Sequence, residues 1–179
     1  RTTFLSLSLL SLLATSVQAA PSSAQCVTTT EADIVGLFHQ WNSSLQSGDA
    51  LAVNALYAPD AVLLPTVSHI PRLNAEQRID YFKHFLANQP VGRLDSQRVH
   101  TGCNSALLSG LYTFRFAGTG DEVAARYSFA YTWDGERWLI SSHHSSVLPE
   151  GESPDQGDSP VEGAQPPQIN SPHADNRDT

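Results

Sequence analysis

Residues 123–146 run Val-Ala-Ala-Arg-Tyr-Ser-Phe-Ala-Tyr-Thr-Trp-Asp-Gly-Glu-Arg-Trp-Leu-Ile-Ser-Ser-His-His-Ser-Ser. Tyr127, Phe129, Tyr131 and Trp133 alternate with Arg126, Ser128, Ala130 and Thr132. That period of two marks a strand with one apolar face. Asp134-Gly135 follows, a dipeptide suited to a two-residue hairpin turn. Arg137 to Leu148 then reads as the returning strand. Such a turn sets Trp133 opposite Glu136, Tyr131 opposite Trp138, Phe129 opposite Ile140, Ser128 opposite Ser141 and Arg126 opposite His143. One face is then aromatic, and the other carries Arg126, Ser128, Ser141 and His143. His144, next along the strand, points to the aromatic side.

Upstream, Leu107, Leu111, Tyr112, Phe114 and Phe116 form an apolar run that ends at Gly118-Thr119-Gly120. Arg93 to His100 is a weaker strand before it. The N-terminal half has the helical period instead. Thr28-Thr29-Thr30-Glu31 is a helix start, and Ile34, Val35, Phe38, Trp41 and Leu45 recur on one stripe. Gly48 stops this helix, and Asp49 caps a short second one from Ala50 to about Tyr57. Pro59-Asp60 turns the chain into a strand, Ala61 to Leu64. A third helix spans Asn74 to Asn88, with Ile79, Phe82, Phe85 and Leu86 facing in. The layout predicts an α+β fold: three helices on one face of a curved, mostly antiparallel sheet.

The 179 residues divide into three parts. Residues 1–19 carry Arg1, an apolar Leu/Ser run and Val17-Gln18-Ala19, the order of a secretory leader. Residues 150–179 are rich in Gly, Pro, Ser, Asp and Glu and read as a disordered acidic tail. The domain is expected over 20–149. The formal charge of −8 comes mostly from the tail, whose seven acids face one base. The domain is nearly balanced, which argues against a nucleic-acid partner. Once the leader is removed no segment calls for a membrane, so a secreted or periplasmic protein is expected. Cys26 and Cys103 allow a single pairing, and an oxidising compartment favours the disulfide; the alternative is two buried thiols.

Several stretches together resemble a known family. They are Trp41 on the first helix, Ser47-Gly48-Asp49, the run from Leu56 to Thr66, Tyr81-Phe82, Gly110 to Phe114, Ala125 to Tyr131, and Trp138 to Ser146. Over about residues 26–150 they are similar to the association (hub) domain of calcium/calmodulin-dependent protein kinase II and its free-standing bacterial relatives. These belong to the nuclear-transport-factor-2-like superfamily, with SnoaL-type cyclases and ketosteroid isomerases. The resemblance implies a cone with a pocket at its open end and self-association through the sheet, as dimers or larger rings. It also implies an arginine-bearing pocket, although Ser145 stands where the hub's last strand carries an arginine. It does not imply kinase activity: the sequence has no Gly-rich nucleotide loop, no His-Arg-Asp and no Asp-Phe-Gly.

The candidate ligand residues are Arg126, His143, Arg78, Tyr81 and Trp41. Arg126 can clamp a carboxylate with its planar fork, beside His143. Arg78 and Tyr81 lie one turn apart on the third helix, and Trp41 is core or pocket wall. Catalytic residues are not assigned. His39, His69, His84 and His100 show no metal-ligand spacing, and no cofactor is expected. Two functions are weighed. One is a self-associating module that holds a small polar or anionic ligand; a charged Arg/His pocket and an apolar sheet face favour it. The other is a small enzyme of the SnoaL or ketosteroid-isomerase type acting on a small hydrophobic metabolite; an apolar pocket with one ionisable group of shifted pKa favours it.

Overall fold

The computed structural model describes residues 25–149. The expected leader and acidic tail lie outside the described residues. The elements are α1 (Glu31–Leu45), α2 (Ala50–Asn54), β1 (Tyr57–Leu64), α3 (Ala75–Leu86), β2 (Pro90–Gly102), β3 (Ser105–Phe116), β4 (Glu122–Trp133) and β5 (Trp138–Val147). The strands form one sheet in the order β1-β5-β4-β3-β2, antiparallel except for the β1–β5 pair. This is the expected α+β arrangement, with the helices packed on the inner face.

Helix α1 begins with a capping box. Thr30 Oγ1 accepts from the Asp33 amide at 3.2 Å, and Asp33 Oδ2 accepts from the Thr30 amide at 2.8 Å. Two otherwise unpaired donors are thereby satisfied. Its stripe of Ile34, Phe38, Trp41 and Leu45 is at most 2% exposed and lies against the aromatic face of the sheet. Phe38 stacks on Tyr127 with centroids 6.2 Å apart, and Trp41 meets Phe129 edge-on at 5.2 Å. Asn42 ties the helix to the edge strand: its amide donates to Gly92 O and accepts from Gly92 N, both at 2.8 Å. Gln46 donates to Pro90 O at 2.8 Å. These side chains cover part of an open sheet edge.

Three elements differ from expectation, the first being α2, which ends at Asn54 rather than near Tyr57. β1 starts at Tyr57, not Ala61, because Tyr57 pairs with Ile140 and Ile140 N bonds Leu56 O at 2.9 Å. β2 extends from Pro90 to Gly102. Its ladder with β3 holds a strand whose mostly exposed side chains show no clean alternation. The two strands meet closely at Gly110, where an added Cβ would collide with the Ser96 carbonyl.

The hairpin register also differs. Asp134 Oδ1 accepts from the amides of Glu136 and Arg137, both at 2.8 Å, so the loop holds four residues and Trp133 pairs with Trp138. Those amides hold the Asp134 carboxyl below its ordinary pKa. Farther along, Tyr131 pairs with Ile140 but Ala130 with Ser142. Ser141 is therefore an extra, bulged residue, and its hydroxyl bonds Ala130 O at 3.1 Å. One inserted residue exchanges the two faces of the strand beyond it. His143 consequently sits opposite Phe129 on the inner face, and His144 opposite Ser128 on the outer face.

The disulfide between Cys26 and Cys103 is formed, with Cα atoms 4.8 Å apart. It ties the segment before α1 to the β2–β3 turn. Asn104 secures the same join, accepting from Val27 N at 2.8 Å and donating to Gln25 O at 3.2 Å.

Candidate functional site

The bulge that turns His143 inward also builds the site. His143 is 4% exposed, stacked on Phe129 with centroids 3.9 Å apart and met edge-on by Trp41 at 5.2 Å. Its Nδ1 lies 2.9 Å from the Tyr57 hydroxyl. Trp41 Nε1 donates to that same hydroxyl at 3.1 Å. An indole N–H can only donate, so the Tyr57 oxygen accepts from Trp41; its single proton has no acceptor among the described residues other than His143 Nδ1, which assigns it there. The ring is thereby fixed as the neutral tautomer with its proton on Nε2. Burial pushes the His143 pKa down to about 3, with His144 adding to the effect. The Tyr57 hydroxyl is raised well above its ordinary value by burial.

Nε2 is buried and has no hydrogen-bond partner among the described residues. A buried donor left unpaired is costly, and such groups call for an explanation. His143 lines a small compartment closed by Trp41, Leu63, Phe82 and Tyr112. The free space there is about 10 Å³ for the centre of a water-sized sphere, room for a single oxygen-sized group. Two residues on from His143, Ser145 shares its face, and its hydroxyl bonds that of Thr66. Tyr112 reaches the same two hydroxyls, which partly offset the upward pKa shift caused by its burial.

An outer compartment adjoins this one and shares Thr66, Tyr81, Phe85 and Phe114 with it. By the same measure it holds about 320 Å³, and Val67, Phe116 and Val123 add apolar surface. That volume lies in the range of small-molecule sites. Burial raises the Tyr81 hydroxyl to about 12.

Of the expected ligand residues, the structure brings together His143, Trp41 and Tyr81. It separates Arg126 from His143: Arg126 is exposed on the outer face, opposite Ser146, while the bulge turns His143 inward. Arg78 is also elsewhere engaged. It is fully buried and donates to Asn54 Oδ1 at 3.0 Å and to the carbonyls of Ala61, Ala58 and Pro59 at 2.6, 3.1 and 3.3 Å. It pins α3 to β1 and α2 and is not a ligand clamp. Burial lowers its pKa, opposed by Tyr57 and Asp60. Tyr57, Thr66, Tyr112 and Ser145 were not among the expected site residues. Ser145 follows from His143 by strand period alone, and Tyr112 from the β3–β4 ladder.

Comparisons with known proteins bear on this fold. The family described as the calcium/calmodulin-dependent protein kinase II association domain matches residues 30–149. A solved structure from Xanthomonas campestris, described as such an association domain, is 38% identical. That match covers 72% of this chain and 99% of that one, at a TM-score of 0.65. A nuclear-transport-factor-2-like protein of unknown function from Pseudomonas putida is 19% identical over 68% of this chain and 89% of its own, at 0.59. A candidate dehydratase of that family from Streptomyces avermitilis is 13% identical over 66% and 97%, at 0.55. These last two show the fold alone. No curated protein matches the chain. With the family matched over nearly all of the described residues, this chain belongs to the calcium/calmodulin-dependent protein kinase II association-domain family, on the nuclear-transport-factor-2-like fold.

Proposed function

We propose that this chain is an exported association-type module that pairs with copies of itself and holds a small polar ligand at His143. The ligand half rests on one observation: the buried, unpartnered Nε2–H of His143 beside a pocket. His143, Tyr81 and Trp41 remain its proposed contacts, joined by Thr66, Tyr112 and Ser145.

The self-association half is supported by the family and by the outer sheet face. All helices lie on the inner face. The outer face presents Leu64, Leu107 and Leu111, each 37% exposed, with Ser109 between the two β3 leucines and Ser128 and Ala130 beside them on β4. Arg126 and His144 lie on this face too. Export is supported by the bonded Cys26–Cys103 pair, which suits an oxidising compartment. Among the described residues no helix is long and apolar enough to cross a membrane.

The enzyme reading has one observation in its favour, a single histidine of shifted pKa in an apolar pocket. The shift, however, keeps His143 neutral, and its accepting nitrogen is already bonded to Tyr57. Among the described residues no carboxylate lines either compartment. His143 thus offers a donor and no free basic nitrogen.

Light scattering tests assembly: a dimer or larger species is expected at micromolar concentration, and a monomer refutes that half. Native mass spectrometry of retained metabolites tests binding. His143→Gln should lose the retained species and Arg126→Ala should keep it; an unchanged profile in His143→Gln removes His143 as a ligand residue.

A further inference from the structure

The inner compartment is a donor site without charge. His143 Nε2–H is unpartnered, while the Thr66 and Ser145 hydroxyls bond each other. The space admits one oxygen-sized group, so what completes the site is a single acceptor atom.

A carboxylate does not suit these walls. Neither compartment is lined by a lysine or arginine among the described residues. The Arg78 guanidinium is committed to four protein oxygens, and Arg126 lies on the opposite face of the sheet. Arg72 stacks over the Tyr81 ring at 5.5 Å but donates to Ile70 O and Ser68 Oγ. The two histidines on the walls are His143, whose Nδ1 is bonded to Tyr57, and His84, whose Nδ1 faces the Asp80 carbonyl at 2.9 Å. An anion placed at Nε2 would lose its hydration and find no lysine or arginine in direct contact among the described lining residues. A neutral carbonyl loses far less and accepts the same bond.

The outer compartment selects the body. Tyr81 and Phe85 lie nearly parallel, 17° apart with centroids at 5.6 Å. Phe114 and Phe116 stand perpendicular to Phe85, at 82° and 88° and at 5.6 and 5.8 Å. Such walls receive a flat ring in stacked and edge-to-face contacts.

We infer that this pocket takes a neutral, planar, ring-bearing molecule with a carbonyl-type acceptor at one end, and excludes the corresponding carboxylate. This rests on the pocket at His143 being the ligand site.

The test uses the full chain with three probes of one shape: acetophenone, ethylbenzene and benzoate. Binding is followed by Trp fluorescence and by the His143 ring resonances in nitrogen-15 NMR at neutral pH. Acetophenone should bind at least tenfold more tightly than either other probe, and it alone should shift the Nε2–H signal. Benzoate binding as tightly as acetophenone overturns the neutral-ligand inference and leaves the site standing. Ethylbenzene matching acetophenone overturns the acceptor requirement. If no probe moves the His143 signals at millimolar concentration, the site reading falls with the inference. Because the wild-type ring is observed directly, no result depends on a His143 variant folding.

Discussion

Lowering the pH should unfold this protein partly through His143. In the folded state its pKa is about 3, against an ordinary value of 6.5. The unfolded chain therefore binds a proton that the folded chain refuses between those values. Stability from this group is complete above about pH 6.5 and is lost as pH falls towards 3. Each unit in that window costs about 1.4 kcal/mol. From about pH 6.5 to pH 4.5 the loss is about 2.5 kcal/mol, a large share of a typical domain's 5–15 kcal/mol. The assay is urea unfolding of the wild type and His143→Phe at several pH values, with the disulfide intact. At neutral pH the variant should be the less stable by about 1–3 kcal/mol, because the Tyr57 hydroxyl loses its acceptor. The gap should close as the pH falls, since only the wild type pays the protonation cost. Carboxylates common to both proteins cancel in the difference. Parallel curves would show that His143 titrates normally, and would refute the buried, neutral assignment.

Arg78→Met should cost about 3–5 kcal/mol in denaturant unfolding, because four oxygens lose their donor, and Arg78→Lys should not restore it, lacking the planar fork. Gly110→Ala should destabilise by more than 1 kcal/mol and perturb the amide signals of Ser96 and Gln97, since the new methyl meets backbone rather than a movable side chain. Replacing Cys26 and Cys103 together by Ser should lower stability by about 2–4 kcal/mol, the range for a bridge closing a long loop, without changing ligand retention, because the bond lies outside the pocket.

The elements were legible where period and burial agree. Phe38, Trp41 and Leu45 mark α1, and Tyr127, Phe129 and Tyr131 mark the inner face of β4, as the structure shows. The site was less legible, for a local reason. Asp134-Gly135 is compatible with loops of two or four residues, and the Asp134 carboxylate decides by binding two amides. Nothing in Ile140-Ser141-Ser142 announces the bulge, since Ser141 and Ser142 suit either face equally. Yet that one residue decides whether His143 lies on the outer face with Arg126 or on the inner face with Phe129. Arg78 was readable in principle: it precedes Phe82 by four and Leu86 by eight residues, so helical geometry turns it inward with them. Its charge argued for solvent, and only the carbonyls of β1 reveal why burial is tolerated. Tyr57 could not be read as a partner of His143, because the contact joins residues 86 apart and depends on the parallel β1–β5 pair.

The pocket is built around a neutral histidine offering one N–H. Long-range nitrogen-15 NMR of the His143 ring in the ligand-free protein tests this directly. At neutral pH the ring should be neutral, with the proton on Nε2 and Nδ1 bonded to the Tyr57 hydroxyl. An imidazolium, or a proton on Nδ1, would contradict the account.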